Sequence, residues 1–138
     1  MRKVLGAILI LTAITTLAYW VNYFTGGDVR VVDARWYSAF EDAFPVSDSW
    51  MALTSFLAGI GLWCGRPSGA RFGLLAGSAL LFLAGMDITF NVESGLYAQL
   101  ATSDAMKFEL LINVWTLVLG AAVIAVCWKS SATAPASP

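Results

Sequence analysis

The composition of the chain is that of a membrane protein with a single domain. Of its 138 residues, 59% are hydrophobic and 12% are charged, whereas a typical globular domain is about 45–50% apolar and about 25% charged. This balance excludes a soluble enzyme and a disordered chain. The net charge of −1 excludes a basic nucleic-acid-binding protein, and the absence of histidine excludes histidine metal sites and histidine acid–base catalysis. We therefore expect an integral membrane protein that contacts the lipid bilayer and has no cofactor.

The first hydrophobic segment covers residues 4–24 and contains no charged residue. Arg2 and Lys3 precede it, as basic residues precede the core of a signal peptide. Its length of about twenty residues exceeds the roughly 7–15 residues of a signal-peptide core, and no small-residue cleavage site follows it. We interpret this segment as an uncleaved transmembrane helix.

A short amphipathic helix is predicted over residues 34–44, in the longest loop of the chain. Its aromatic residues Trp36, Phe40 and Phe44 recur every four positions, whereas Glu41 lies on another side of the helix. This pattern is typical of a helix at the outer membrane interface, with its aromatic face in lipid or against the bundle. One interpretation is an ordered lid that packs on the ends of the other helices, and the alternative is a gate for a ligand.

Three further hydrophobic segments follow, and they cover residues 48–65, 70–91 and 106–128. About twenty helical residues cross the roughly 30 Å of hydrocarbon in a bilayer at 1.5 Å per residue. Because the connecting loops are short, we predict an all-α fold in which four transmembrane helices form an antiparallel bundle. This bundle forms one domain over residues 1–129, and we expect a disordered tail over residues 130–138.

The basic residues predict the orientation of the bundle. Five of them would lie on one side of the membrane, and these are Arg2, Lys3, Arg66, Arg71 and Lys129. The other side would carry three, namely Arg30, Arg35 and Lys107. Since positive charge is retained on the cytoplasmic side, we expect a multi-pass protein of the cell membrane with both termini in the cytoplasm.

Four glycines share one face of the third hydrophobic segment, and they are Gly69, Gly73, Gly77 and Gly85. Small residues at this spacing allow two helices to approach closely in a membrane, where no hydrophobic force drives helices together. One interpretation is packing within the chain. The alternative is a homodimer, or contact with a larger membrane complex, through this glycine face.

Four polar residues lie within the third and fourth segments and form the most specific pattern in the chain. Asp87 and Asn91 are four residues apart, as are Glu109 and Asn113, so each pair occupies one face of its helix. The residue numbers of Asp87 and Asn113 add up to the same total as those of Asn91 and Glu109. Antiparallel packing of the two helices would therefore place each carboxyl group opposite a carboxamide, with Asp48 at the mouth of the site.

The energetic cost of these residues leaves two structural interpretations open. An aspartate at the centre of a transmembrane helix costs about 2.5–3.5 kcal/mol, whereas an interhelical hydrogen bond in a membrane returns about 0.6 kcal/mol on average. No lysine or arginine lies at the depth of Asp87, and the nearest cation is Lys107, which lies one turn further out. The polar residues thus form either a hydrogen-bonded clamp or a site for a cation. Oxygen ligands favour hard cations such as Mg²⁺, Ca²⁺ and Mn²⁺.

Three functions follow from these interpretations. In the first, which we predict, an outward-facing cluster binds or transports a cation or small ligand through Asp87, Asn91, Glu109 and Asn113, with Asp48 nearby. In the second, the chain is an accessory or assembly subunit of a membrane complex and has no activity of its own. In the third, the chain is a membrane-embedded enzyme that uses Asp87 or Glu109 in acid–base catalysis on a lipid-like substrate. The sequence shows no nucleophile motif, so we assign no catalytic residue.

Overall fold

The computed structural model describes residues 1–26 and 30–132, and neither range contains a β-strand. The prediction of an all-helical protein is therefore confirmed. The α-helices, numbered in chain order, are α1 (Arg2–Thr25), α2 (Arg35–Glu41), α3 (Phe44–Trp63), α4 (Pro67–Glu93) and α5 (Asp104–Ala132). A 3-10 helix, Leu96–Ala101, connects α4 to α5.

Three of the helices, α1, α4 and α5, are long and apolar enough to cross a membrane. In the most apolar part of each helix, only 28% of α1, 33% of α4 and 28% of α5 is buried inside the protein. The remaining apolar surface is too extensive for a protein surrounded by water. These helices indicate a multi-pass membrane protein. Helix α3 has 20 residues and is not one of these three candidate spans.

The four long helices pack as a row in the order of the chain. Helix α1 packs on α3, α3 packs on α4, and α4 packs on α5. The core between them includes the buried side chains of Leu9, Ala58, Leu80 and Val123, one from each helix. Within the described ranges, α1 and α5 make no extensive contact with each other. The row is therefore open between its first and last helices.

Paired glycines allow the helices in this row to approach each other closely. A Cβ atom built on Gly59 of α3 would lie 2.7 Å from the carbonyl oxygen of Gly6 on α1. A Cβ atom built on Gly61 of α3 would lie 2.7 Å from the backbone nitrogen of Gly69 on α4. Both distances are too short for a real Cβ atom. Helix α3 can therefore pack this closely on α1 and α4 only because these positions are glycine.

Glycine also ends α3. Gly65 has a φ of 69°, a left-handed conformation that other residues rarely adopt. The N–H of Arg66 donates to the carbonyl oxygen of Gly61 at 2.8 Å, so the chain reverses in a Schellman motif. Helix α4 begins two residues after Gly65, which makes α3 and α4 antiparallel neighbours.

The boundary between α2 and α3 differs from the prediction. The amphipathic helix predicted over residues 34–44 ends at Glu41, and α3 begins at Phe44 instead of residue 48. Pro45 lies in the first turn of α3. Backbone N–H groups in the first turn have no acceptor within the helix, so proline loses no hydrogen bond there. The polar residues after Pro45 are therefore helical and belong to α3, the second long helix of the row.

The end of α5 also differs from the prediction. Helix α5 continues to Ala132, so residues 130–132, predicted as the start of a disordered tail, are helical. No proline or glycine occurs between Trp128 and Ala132 to end the helix there. Residues 133–138, the rest of the predicted tail, lie outside the described residues.

Helix α2 packs over the ends of α4 and α5. The ring of Phe40 stacks on the ring of Phe90 with 3.5 Å between their centroids and an angle of 6° between their planes. Tyr37 is buried in a small hydrophobic cluster with Leu96 of the 3-10 helix and Met106 of α5. These contacts hold α2 across the bundle and turn Glu41 inward.

Candidate functional site

Three carboxyl groups from three different helices meet beneath α2. Glu41 is the last residue of α2, Asp87 lies two turns before the end of α4, and Glu109 lies in the second turn of α5. One oxygen from each carboxyl group lies within 4.8 Å of an oxygen from each of the others. Glu41 and Glu109 are each 6% exposed, and Asp87 is half-buried. We call Glu41, Asp87 and Glu109 the three-carboxylate cluster.

The two predicted asparagines lie next to this cluster. Asn91 donates from its Nδ2 atom to Oδ1 of Asp87 at 3.3 Å, and Asn113 donates from its Nδ2 atom to the hydroxyl of Tyr97 at 3.2 Å. The side chain of Asn113 also lies beside Asp87, and that of Asn91 lies beside Glu109. The structure thus brings together all four polar residues singled out on the third and fourth hydrophobic segments.

Two buried polar atoms next to the cluster have no hydrogen-bond partner among the described residues. They are the hydroxyl of Tyr37 and the Oδ1 atom of Asn91, and each residue is 1% exposed. Tyr37 lies beside Glu41, and Asn91 lies beside Glu109. A buried polar atom without a partner costs about 1–3 kcal/mol. The polar residues therefore leave some of their hydrogen-bonding groups unpaired, whereas a closed hydrogen-bonded clamp would pair all of them.

No basic side chain neutralises the three-carboxylate cluster. Across residues 1–26 and 30–132, none of its members forms an ion pair with lysine or arginine. Lys107, the nearest cation expected from the sequence, pairs instead with Asp104 at 2.7 Å. The guanidinium of Arg30 lies over the ring of Tyr23, 4.7 Å from its centroid. The part of the chain that the structure describes therefore supplies no basic partner for the cluster.

The burial of Glu41 changes its ionisation. Burial is the main reason why the pKa of Glu41 rises from its ordinary 4.5 to about 7, and the neighbouring charge of Asp87 contributes in the same direction. Burial also raises the pKa of the Tyr37 hydroxyl, which therefore stays protonated at neutral pH. A bound cation would favour the ionised form of Glu41 and lower this pKa.

Asp48 lies near the three-carboxylate cluster but outside it. Its Oδ2 atom accepts a hydrogen bond of 2.8 Å from Nε1 of Trp20, which connects α3 to α1. The side chain is half-buried and lines the same cavity as the cluster. Asp48 therefore connects α3 to α1 instead of joining the three-carboxylate cluster.

A cavity of about 430 Å³ extends from the three-carboxylate cluster into the gap between α1 and α5. This volume lies within the range of about 300–1,000 Å³ that is typical of ligand pockets. Apolar side chains such as Met51, Leu80, Leu83 and Ile112 line most of the wall, and Asp48 lines it near the acidic end. The cluster thus lies at the polar end of an otherwise largely apolar cavity.

Three of the four glycines singled out on α4 face other helices of the same chain. Gly69 approaches Gly61 of α3, Gly73 approaches the Sγ atom of Cys127 on α5, and Gly77 approaches Gly120 and Ile124 on α5. A Cβ atom built on Gly85 would meet nothing within 4 Å. A homodimer through this glycine face stays a prediction, and Gly85 is the member whose surroundings are open.

The sequence interpretation missed Glu41, and a signal for it was present. The aromatic spacing of Trp36, Phe40 and Phe44 placed Glu41 on another side of the predicted helix. The alternative stripe of Tyr37, Phe40, Glu41 and Phe44 has the spacing of a face that packs on a core. Tyr37 and Glu41 are buried, whereas Trp36 is 50% exposed, so this second stripe faces the bundle.

Compared with protein-family models, with curated proteins and with solved structures, the chain matches none. The arrangement of its own residues therefore carries the functional argument.

Proposed function

We propose that this protein is a four-helix membrane protein that binds or transports a cation or small cationic ligand at the three-carboxylate cluster. The observation that carries the proposal is the meeting of three carboxyl groups within 4.8 Å, without a neutralising basic residue in the described ranges. Ionisable residues inside a membrane protein are costly and usually mark a functional site. The unpartnered atoms of Tyr37 and Asn91 support a ligand over a self-sufficient clamp.

The packing of α3 supports a fourth transmembrane helix. Helix α3 lies between α1 and α4, which are both apolar enough to cross a membrane. It contacts α1 near one end through Gly59 and Gly6, and near the other end through the hydrogen bond from Trp20 to Asp48. A helix that accompanies a spanning neighbour along its length crosses the same hydrocarbon layer. With four spans, the basic residues favour both termini in the cytoplasm of a cell-membrane protein.

The geometry of the cluster suits a cation. Calcium binds oxygen ligands at about 2.3–2.6 Å, so oxygens on opposite sides of the ion lie roughly 4.6–5.2 Å apart. The oxygens of Glu41, Asp87 and Glu109 lie within 4.8 Å of one another, so a single ion can contact all three. An ammonium group, which has three N–H donors, can also bond to three carboxylate oxygens.

The experiment compares Asp87→Asn and Glu109→Gln with wild type in detergent. The probes are calcium chloride, manganese chloride and ethylammonium chloride, and the measurements are titration calorimetry and the unfolding temperature. We expect at least one probe to bind the wild type, and both variants to lose at least tenfold in affinity for that probe. Glu93→Gln is the control, because Glu93 is exposed near the end of α4.

The stability of the ligand-free variants separates a binding site from a clamp. A functional site usually lowers stability, so Asp87→Asn should be as stable as wild type or more stable from pH 5 to 8. If no probe binds and Asp87→Asn is clearly less stable, the carboxyl group holds α4 and α5 together and the proposal is wrong.

A further inference from the structure

The cavity beneath α2 is longer than an inorganic cation needs. It reaches from Asp87 to Leu80 on α4, a distance of seven residues or about 10 Å along the helix. Its wall along this length is formed by apolar side chains of α3, α4 and α5, among them Met51, Leu83 and Ile112. A hydrated metal ion would contact only the acidic end and would leave the apolar wall without a partner.

Three threonines of α1, Thr12, Thr15 and Thr16, line this wall, and the first two form hydrogen bonds within the helix. Thr12 donates to the carbonyl oxygen of Ile8 at 2.9 Å, and Thr15 donates to that of Leu11 at 3.0 Å. Their hydroxyl hydrogens are therefore already used within α1. The charged groups of the cavity remain concentrated at the end that holds Glu41, Asp87 and Glu109.

The cavity opens between two helices that can lie in lipid. It is lined by α1 and α5, which are both candidate membrane spans and make no extensive contact within the described residues. If α1 and α5 both cross the membrane, the gap between them faces the hydrocarbon region of the bilayer. A ligand dissolved in the bilayer can enter through this gap without passing through water.

The three carboxyl groups lie close enough together for one ammonium group to contact all of them. Charge-assisted N–H···O hydrogen bonds are about 2.7–2.9 Å long, and three of them around one tetrahedral nitrogen place their acceptors roughly 4.6 Å apart. The three oxygens of the cluster lie within 4.8 Å of one another. A single ammonium group can therefore donate to Glu41, Asp87 and Glu109 together.

From the cavity and the cluster together, we infer that the ligand is a lipophilic primary amine. Its ammonium group binds the three-carboxylate cluster, and its apolar body fills the cavity between α1 and α5. This inference rests on the cation binding proposed above and adds the class of ligand. Charge complementarity selects an amine over a neutral or anionic lipid of the same length.

The test is a series of n-alkyl primary amines from ethylamine to octylamine, titrated into the full chain in one detergent at fixed concentration. Burial of each methylene group should increase the affinity for the free amine, corrected for the amine taken up by detergent, about fourfold. Octanol and octanoate, which have the same apolar length without the positive charge, should not compete with octylamine.

A substitution that fills the cavity tests where the alkyl chain binds, and a substitution at the neighbouring residue is its control. Thr116 lines the cavity, whereas its neighbour Leu117 is exposed and does not. We expect Thr116→Phe to weaken octylamine binding at least tenfold and to leave ethylamine binding unchanged, whereas Leu117→Phe should leave both unchanged. Because detergent takes up octylamine equally in both titrations, the difference between the two variants reports the cavity alone.

The outcomes separate this inference from the proposed function. If ethylamine or a metal ion binds in a carboxylate-dependent way but chain length adds no affinity, the lipophilic ligand is wrong and cation binding stands. The same conclusion follows if Thr116→Phe and Leu117→Phe bind octylamine equally. If no amine and no metal ion binds the wild type, both proposals are wrong.

Discussion

The carboxyl group of Glu41 lies between two other carboxyl groups and the hydroxyl groups of Tyr19 and Tyr37. The residue is only 6% exposed, so water contributes little to the stability of its charge. Burial, followed by the charge of Asp87, raises its pKa to about 7. At neutral pH, Glu41 is therefore partly protonated, and the proposed binding of a cation would release that proton.

This pKa predicts how the stability of the ligand-free protein depends on pH. The pKa of Glu41 is 4.5 when unfolded and about 7 when folded, so between these values the folded protein holds more protons. Its contribution to stability is fully present below pH 4.5 and is lost as the pH rises through about 7. The contribution of Glu41 to the free energy of unfolding is about 3 kcal/mol, at roughly 1.4 kcal/mol per pH unit.

The measurement is the free energy of unfolding in detergent from pH 4.5 to 8 for wild type and Glu41→Gln. We expect the free energy of unfolding to depend less steeply on pH in Glu41→Gln, by an amount equivalent to up to one proton. Glu93→Gln should retain the pH dependence of wild type. Equal slopes in wild type and Glu41→Gln would show that Glu41 is not buried in the folded protein.

At the level of helices, short local patterns decide which surfaces meet. Helix α2 has only seven residues and cannot be stable alone. It is held by the stacking of Phe40 on Phe90 and by the burial of Tyr37 against Leu96 and Met106. Since Glu41 follows Phe40 directly, the aromatic packing of α2 positions the third carboxyl group of the cluster.

The contact between α3 and α4 depends on the absence of side chains at Gly61 and Gly69. We expect Gly61→Ala to destabilise the protein by about 1–3 kcal/mol, as overpacking does elsewhere. A Cβ atom on Gly61 would lie 2.5 Å from the Cα atom of Gly69, and a backbone atom cannot move aside as a flexible side chain can.

Gly85→Ala is the matched control, measured by the unfolding temperature in the same detergent. Gly85 is also helical, but a Cβ atom there would meet nothing within 4 Å. We expect this variant to be as stable as wild type, or more stable by up to about 1 kcal/mol, because alanine favours helices. A loss of stability in Gly85→Ala would indicate that this glycine packs against a second chain.

At the scale of the whole molecule, the helices form an open row, and the opening between α1 and α5 is the cavity. A closed bundle of the same helices would bury the apolar wall and leave only a small polar site. In the open row, a largely apolar cavity instead lies next to the three-carboxylate cluster. The arrangement of the helices is therefore the reason that we propose a lipophilic ligand and not an inorganic cation alone.

The proposed four-span topology predicts where cysteine residues can be labelled. Cys64 is exposed between α3 and α4, whereas Cys127 is buried. If α3 crosses the membrane and the N-terminus is cytoplasmic, a membrane-impermeant thiol reagent should label Cys64 only after cells are permeabilised. In a Cys64→Ser background, Ser94→Cys at the end of α4 should be labelled in intact cells. The reversed pattern would contradict the proposed topology.

Much of the fold and part of the site could be predicted from local sequence. The apolar segments and their connecting loops indicate the long helices, because length and hydropathy are properties of consecutive residues. Asp87 and Asn91, like Glu109 and Asn113, were predicted to share faces because residues four apart lie on one side of a helix. Their meeting follows from the packing of α4 on α5, two neighbours in the chain.

The tertiary structure alone decided the position of Glu41 and the existence of the cavity. Glu41 reaches Asp87 and Glu109 only because α2 packs across the ends of α4 and α5, and its short sequence permits more than one buried face. The cavity depends on α1 and α5, the first and last long helices, which are almost a hundred residues apart in sequence. No local pattern specifies the distance between two such helices, because that distance is set by the packing of every helix between them.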